Sequence, residues 1–177
     1  MVREGGPCLY GIEDVRGIVL ITCEHKKEFK AKLEALDCIF HLDPDAVGVV
    51  TRYPGLVLMM STKLSSQEMF SALRDCEMAY VKRAVPFEGF LIAKDLQDIC
   101  SLVAELVKPH VNFIKSFKVK CSKRGLFFRS AHEVEVKLGD YISKTFKLDV
   151  NLRSPDLTIA VEIVDNLVGV SCFFRKC

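Results

Sequence analysis

Six cations and no acid lie between residues 115 and 129: Lys115, Lys118, Lys120, Lys123, Arg124 and Arg129. Lysine and arginine bind phosphate oxygens, the first as a point charge and the second as a planar fork of donors. A dense run of them without carboxylates is the charge pattern of a nucleic-acid backbone contact. The run covers a predicted strand, its basic turn at residues 122–125 and the approach to a helix start, where unpaired main-chain N–H groups already favour anions. Phe127 and Phe128 are interleaved with it. Either ring can stack a base, while packing beneath the adjacent helix would bury one of them.

The other reactive side chains form no comparable constellation. The four histidines are His25, His41, His110 and His132, and the nearest cluster, Asp37, Cys38 and His41, lacks the third member that would orient a base. No two of the eight cysteines are spaced C-x-x-C, and none is accompanied by histidines at zinc-finger spacing, so no metal site is expected. Cys23, Cys38, Cys76, Cys100 and Cys172 fall among apolar residues and are expected to be small buried thiols of a reducing compartment. Cys8, Cys121 and Cys177 would pair only where intracellular disulfides occur. Gly5-Gly6, Gly48 and Gly55 do not make a phosphate cradle, so no nucleotide cofactor is expected.

Net charge is only +2, but it is unevenly spread: 12 Lys and Arg stand against 16 Asp and Glu up to Val107, and 13 against 7 from Lys108 onward. The first half is acidic and the second basic, so the two halves have different electrostatic roles. No apolar run approaches the roughly 20 residues of a membrane span, and residues 1–7 contain no apolar core of a secretory signal. A cytoplasmic protein, ordered throughout, is expected.

The elements that must position the cations follow from periodicity. Residues 17–23 form a β-branched apolar strand, and Phe29, Leu33, Leu36 and Phe40, about four residues apart, mark the inward face of a helix. Strands at 46–51 and 56–61 flank the turn Arg52-Tyr53-Pro54-Gly55 and make a hairpin. Ser65 and Glu68 form a capping box heading a helix with Met69, Phe70, Leu73 and Cys76 inward, and a strand at 79–85 follows. The order β-α-β-β-α-β is the split pattern of ferredoxin-like folds, over about residues 17–92. A helix capped by Asp95 then runs to Pro109, a strand at 113–121 puts Lys118 and Lys120 on one side, and Ser130 with Glu133 caps a helix carrying Val134, Leu138, Tyr141 and Ile142. Short strands at 149–152, 158–164 and 168–174 close the chain, the last two joined by a turn at Asp165-Asn166. The fold class is therefore α+β, with domains at 1–92 and 93–177.

The stretch Lys115-Ser116-Phe117-Lys118-Val119-Lys120, then Phe128-Arg129-Ser130, Glu133, Leu138-Gly139, Val150-Asn151-Leu152-Arg153-Ser154-Pro155-Asp156 and Ile159-Ala160-Val161-Glu162-Ile163 resembles a THUMP domain in order and spacing. The resemblance covers about residues 95–174, and its most specific piece is V-N-L-R-S-P-D leading into I-x-V-E-I. It implies a preceding ferredoxin-like domain, in agreement with the independent pattern above. It also implies tRNA as ligand, held by shape and phosphate contacts near the acceptor stem and the 3′ end. Lys118, Lys120, Arg129, Ser130 and Arg153 match the family's RNA-facing pattern, and Lys123 and Arg124 join them on charge. Pro155 and Asp156 match as well, but read more simply as a turn in which Asp156 accepts main-chain N–H groups.

Neither an S-G-G-x-D-S pyrophosphatase loop nor an N-P-P-[YF] methyltransferase motif is present in these 177 residues. The expectation is a non-catalytic protein, similar to the stand-alone adaptors that present tRNA to a cytidine acetyltransferase making N4-acetylcytidine. The segment Cys76 to Pro86 also resembles that group. Two alternatives stay open: a ferredoxin-like protein-interaction module that binds no RNA, and an accessory subunit of a different tRNA-modifying enzyme acting by thiolation or methylation.

Overall fold

A computed structural model describes residues 11–175. The chain divides after Phe87 into two compact units, each built around its own sheet.

The first unit has a four-stranded antiparallel sheet in the order β2-β3-β1-β4, formed by β1 (Gly17–Cys23), β2 (Val47–Val50), β3 (Leu56–Ser61) and β4 (Val81–Pro86). Helices α1 (Glu28–Ile39) and α2 (Ser66–Arg74) complete the β-α-β-β-α-β order of a ferredoxin-like fold. The period of two along the strands sends Val19, Ile21, Val57 and Met59 into a core with Ala35, Ile39, Met69 and Leu73. Burying each large side chain of this set contributes about 1.5–3 kcal/mol. Gly55 closes the β2–β3 hairpin at φ +73°, which a side-chain-bearing residue adopts only with strain. At Gly17 the main chain of Ser65 and Ser66 comes so near that a Cβ would sit 2.4 Å from it. That approach lets the Ser66 hydroxyl accept from the Ile18 N–H at 2.9 Å, and the Ser65–Glu68 capping box is formed in both directions.

Helix α1 is turned relative to the sequence reading. Ala31, Ala35 and Ile39 face the core, while Phe29 and Phe40 are 62% and 64% exposed and Leu33 also lies at the surface. Of the four residues read as inward, Phe29, Leu33 and Phe40 lie outward, and only Leu36 packs against the core. Small residues against the sheet let the helix pack closely, and the acids of α1 fix its orientation. Glu28 accepts the Gly55 N–H at 2.6 Å, and Glu34 accepts the N–H groups of Ala79, Tyr80 and Val81. A second correction concerns the thiols: Cys38 at the end of α1 and Cys76 just beyond α2 are joined in a disulfide, with Cα atoms 6.2 Å apart, rather than being free buried thiols. Cys100, Cys121 and Cys172 are buried and free, and Cys23 is half-buried and free. Cys8 and Cys177, like residues 1–7, lie outside the described residues.

The second unit holds a five-stranded sheet in the order β5-β9-β8-β6-β7: β5 (Gly89–Ile92), β6 (Ser116–Arg124), β7 (Asp149–Val150), β8 (Leu157–Val164) and β9 (Leu167–Phe174). β6 runs parallel to β7 and β8, and the other pairs are antiparallel. Helices α3 (Leu96–Val107) and α4 (Ala131–Phe146) cover one face, packing Ile99, Val103, Val134, Leu138 and Ile142 on Phe117, Ile159, Val161 and Val170. Asp95 caps α3 and the α-helix ends at Val107, ahead of Pro109, as expected; a single 3-10 turn over Lys108–His110 follows. Residues 89–92, placed in the first domain by the sequence reading, are instead an edge strand on β9. The strand expected at 113–121 is shifted to Ser116–Arg124, leaving Phe113 exposed and converting the expected basic turn at 122–124 into strand.

Candidate nucleic-acid interface

β6 carries most of the basic residues, and its pleat sorts them. Phe117, Val119 and Cys121 pack toward α3 and α4, so Lys118, Lys120, Ser122 and Arg124 alternate to the opposite face. Lys123 falls on the helix side, where its Nζ donates to the Gly125 carbonyl at 2.8 Å. The sequence reading grouped Lys123 with Arg124, but the strand points them apart.

The predicted site residues gather at two ends of β6. At one end are Lys118 and Arg153. The loop bearing Arg153 is held beside the start of β6 by main-chain bonds from Asn151 to Phe117 and from Asp156 to Ser116. Asn151 Oδ1 accepts the N–H groups of Arg153 and Ser154, and its Nδ2 donates to the Ser154 carbonyl. Asp156 accepts the N–H groups of Lys115 and Ser116 and the Ser116 hydroxyl. These donors, the Lys115 N–H foremost, hold its carboxyl below the usual carboxylate range. Asn151 and Asp156 are thus the frame of the loop, and Arg153 is what the frame presents. The side chains of Lys118, Lys120 and Arg153 have no ion-pair partner among the described residues, which leaves their charge available to a ligand.

At the other end, about 20 Å away along the strand at 3.3 Å per residue, are Arg124, Arg129 and Ser130. Arg124 Nη1 lies 3.4 Å from Glu162 Oε2, a carboxylate buried on β8. Arg129 is exposed beside the start of α4, whose N-cap is Ser130, its hydroxyl accepting the Glu133 N–H at 3.0 Å. The reciprocal half of the expected capping box is not made, because Glu133 pairs with Lys137 at 2.6 Å. Helix α4 is docked on the strand through Glu135, which accepts the Cys121 N–H at 2.8 Å. Burial first, then Glu135 and Glu162, pushes the Cys121 thiol up to about 12, so it stays protonated and unreactive. Phe128 packs on the core, whereas Phe127 is exposed and meets it edge-on at 4.8 Å.

Sequence reasoning missed the residues facing Arg153. Arg153 and Ser154 line a cleft of about 290 Å³ together with Thr158, Phe173, Phe174 and Arg175. The signal was present in the strand pattern: once β8 and β9 are paired, Thr158 stands opposite Phe173. Among the described residues no group of three or more His, Cys, Asp or Glu could hold a metal ion, and no helix is long and apolar enough to cross a membrane.

Comparison with known proteins agrees with this architecture. Residues 93–172 match the THUMP domain family, and the chain carries a THUMP domain there. Among curated proteins nothing matches significantly. Among solved structures, PH1313 from Pyrococcus horikoshii superposes with a TM-score of 0.70 at 15% identity, covering 89% of this chain and 55% of that one. A 4-thiouridine synthetase in complex with RNA and ATP gives 0.61 at 17% identity, covering 89% and 42%. TrmN from Thermus thermophilus gives 0.56 at 18% identity, covering 90% and 46%. The likeness is one of fold, and the chain spans about half the length of these structures.

Proposed function

We propose that this chain binds tRNA through the basic elements of its THUMP domain and presents it to a separate modifying enzyme, a cytidine acetyltransferase forming N4-acetylcytidine. The observation that carries the RNA half of the reading is the set of unpaired cations on β6 and the neighbouring loop, Lys118, Lys120 and Arg153, on a domain whose fold is shared with an RNA-bound 4-thiouridine synthetase. Contacts of this kind are made to phosphates, so they fix register and orientation without reading sequence.

The mechanism is then positional. Clamping the tRNA at a fixed place on the domain sets the distance to the modified nucleotide, and holding two reactants in a productive geometry converts an encounter into an effectively intramolecular step. On this reading the chemistry belongs to the partner enzyme, and the chain contributes orientation and local concentration. The acetyltransferase as partner rests on the sequence resemblance in the ferredoxin-like and THUMP arrangement.

The test is nucleoside mass spectrometry of tRNA from cells with and without this chain. Loss of N4-acetylcytidine, with thiolated and methylated nucleosides unchanged, is the expected result. Unchanged N4-acetylcytidine with loss of a thiolated or methylated nucleoside would reassign the partner. No change in any of them would remove the presenting role.

A further inference from the structure

We infer that the outward face of α1 is a self-association surface, on which a second copy of this chain lays its own α1 antiparallel, Phe29 against Phe40 and Leu33 against Leu36. The inference is independent of the RNA-binding reading above.

Helix α1 is apolar on two sides. Ala31, Ala35 and Ile39 meet the sheet. Cys38 and Glu34 face α2 and residues 79–81, through the disulfide and the main-chain bonds to Glu34. The remaining flank carries Phe29, Leu33 and Phe40, all exposed, with Leu36 at its inner border. Among the described residues the Phe29 ring is touched only by the Lys32 ammonium, 5.3 Å from its centre. A contiguous apolar stripe rimmed by polar residues is what a protein contact surface looks like, whereas single exposed apolar residues need no explanation. The spacing of Phe29, Leu33, Leu36 and Phe40, in steps of 4, 3 and 4, is that of the a and d positions through which helices pack side by side. Knobs of that period fit another helix.

Charge selects which helix. Lys30 and Asp37 stand seven residues apart on the same border of the stripe, and both are exposed. Lys30 rests on the Tyr80 ring, 5.0 Å from its centre. Neither residue has an oppositely charged partner among the described residues. In an antiparallel pair of identical helices, like border meets like border. The Lys30 of each copy therefore falls beside the Asp37 of the other, giving two symmetric ion pairs, whereas a parallel pair would set lysine against lysine and aspartate against aspartate. The arrangement is isologous, using the same patch on both copies, and closes as a two-fold dimer. An exposed carboxylate on the border also opposes a phosphate backbone, so this face does not suit a nucleic acid. One helix of 12 residues buries less than the roughly 1,200–2,000 Å² of a stable interface, so the dimer is weak and concentration-dependent.

The experiment is sedimentation velocity of the full chain from low micromolar to near-millimolar concentration, without RNA. The weight-average mass is expected to rise with concentration toward twice that of the chain. Phe40→Glu is expected to weaken association at least about 10-fold. Lys30→Glu alone is expected to weaken it about 2- to 10-fold, the range for reversal of two exposed ion pairs, and Lys30→Glu/Asp37→Lys to restore it. All three positions are exposed, so thermal melts in the low micromolar range are expected to match wild type. Should Phe40→Glu fail to fold, the charge variants test the same surface. A wild-type chain that stays monomeric throughout overturns the inference and leaves the stripe to a different protein. Association that survives Phe40→Glu in a folded protein places the contact elsewhere and overturns it too. Failure of the charge swap to restore association overturns the antiparallel arrangement.

Discussion

Ser116 and Asp156, 40 residues apart in the chain, bond to each other in both directions: Asp156 Oδ2 accepts the Ser116 N–H at 3.0 Å and its hydroxyl at 3.1 Å, and the Asp156 N–H reaches the Ser116 hydroxyl at 3.2 Å. The pair locks the Arg153 loop to the first residue of the basic strand. Asp156→Ala removes the acceptor of three donors and is expected to lower the melting temperature by several degrees and to weaken RNA binding, although residue 156 need not touch RNA. Asp156→Asn, which retains one acceptor oxygen, is expected to fall between the two. Thermal melts by circular dichroism with parallel RNA titrations check this, and an Asp156→Ala protein as stable as wild type would contradict the framing role.

The orientation of α1 makes opposite predictions for residues two apart. Leu33→Ser replaces an exposed side chain and is expected to change stability by less than about 0.5 kcal/mol. Ala35→Leu inserts volume into a closed core beside Val57 and Met59 and is expected to cost about 1–3 kcal/mol. Urea denaturation of the two variants decides between this arrangement and the inward Leu33 that hydrophobic spacing suggested.

The Cys38–Cys76 disulfide spans 38 residues. Loop-closure entropy of that length corresponds to about 4 kcal/mol of stabilisation in the chain-entropy picture, with bridges commonly giving about 2–4 kcal/mol. Reduction, or Cys76→Ser, is expected to lower the denaturation midpoint by the equivalent amount. Mass spectrometry of the alkylated native protein checks the bond itself: two cysteines fewer are labelled before reduction than after it.

Glu28 gives a pH dependence of known sign. The Gly55 N–H, more than any other group, lowers its carboxyl from 4.5 to about 2. A carboxyl whose pKa is depressed on folding stabilises the protein above its unfolded pKa, and that contribution is lost as pH falls through the folded one. The melting temperature is therefore expected to drop between pH 4.5 and about 2, and Glu28→Gln to flatten that part of the profile.

The fold was legible where local chemistry and global pattern agree. The Pro54-Gly55 turn, the Ser65 and Asp95 caps and the alternation along β6 each state their own conformation, and the β-α-β-β-α-β order follows from them. The face of α1 was not legible, because hydrophobic spacing reports that residues share a side without saying which side is covered. There the deciding contacts are hydrogen bonds to Glu28 and Glu34 from main-chain donors at residues 55 and 79–81, invisible to a hydrophobicity pattern. Residues 89–92 read equally well as the end of one domain or the start of the next, and only pairing with β9, far along the chain, places them. The basic residues between Lys115 and Arg129 were legible as a charge run, and Arg153 only through the family resemblance. Phe173, Thr158 and Arg175 were not, because strand register, not sequence proximity, brings them to Arg153.

The most direct test of tRNA binding by the THUMP domain is a titration of the full chain against tRNA across a salt series, in parallel with a Lys120→Ala/Arg129→Ala variant. The expected result is an association constant whose logarithm falls linearly with the logarithm of salt concentration, because cations displace condensed counterions from phosphates. The folded double variant should bind more weakly, with a slope reduced by about 1 for each phosphate it no longer neutralises. Wild-type protein that fails to bind tRNA at low salt, or a double variant that binds with unchanged affinity and slope, would contradict tRNA binding through these residues.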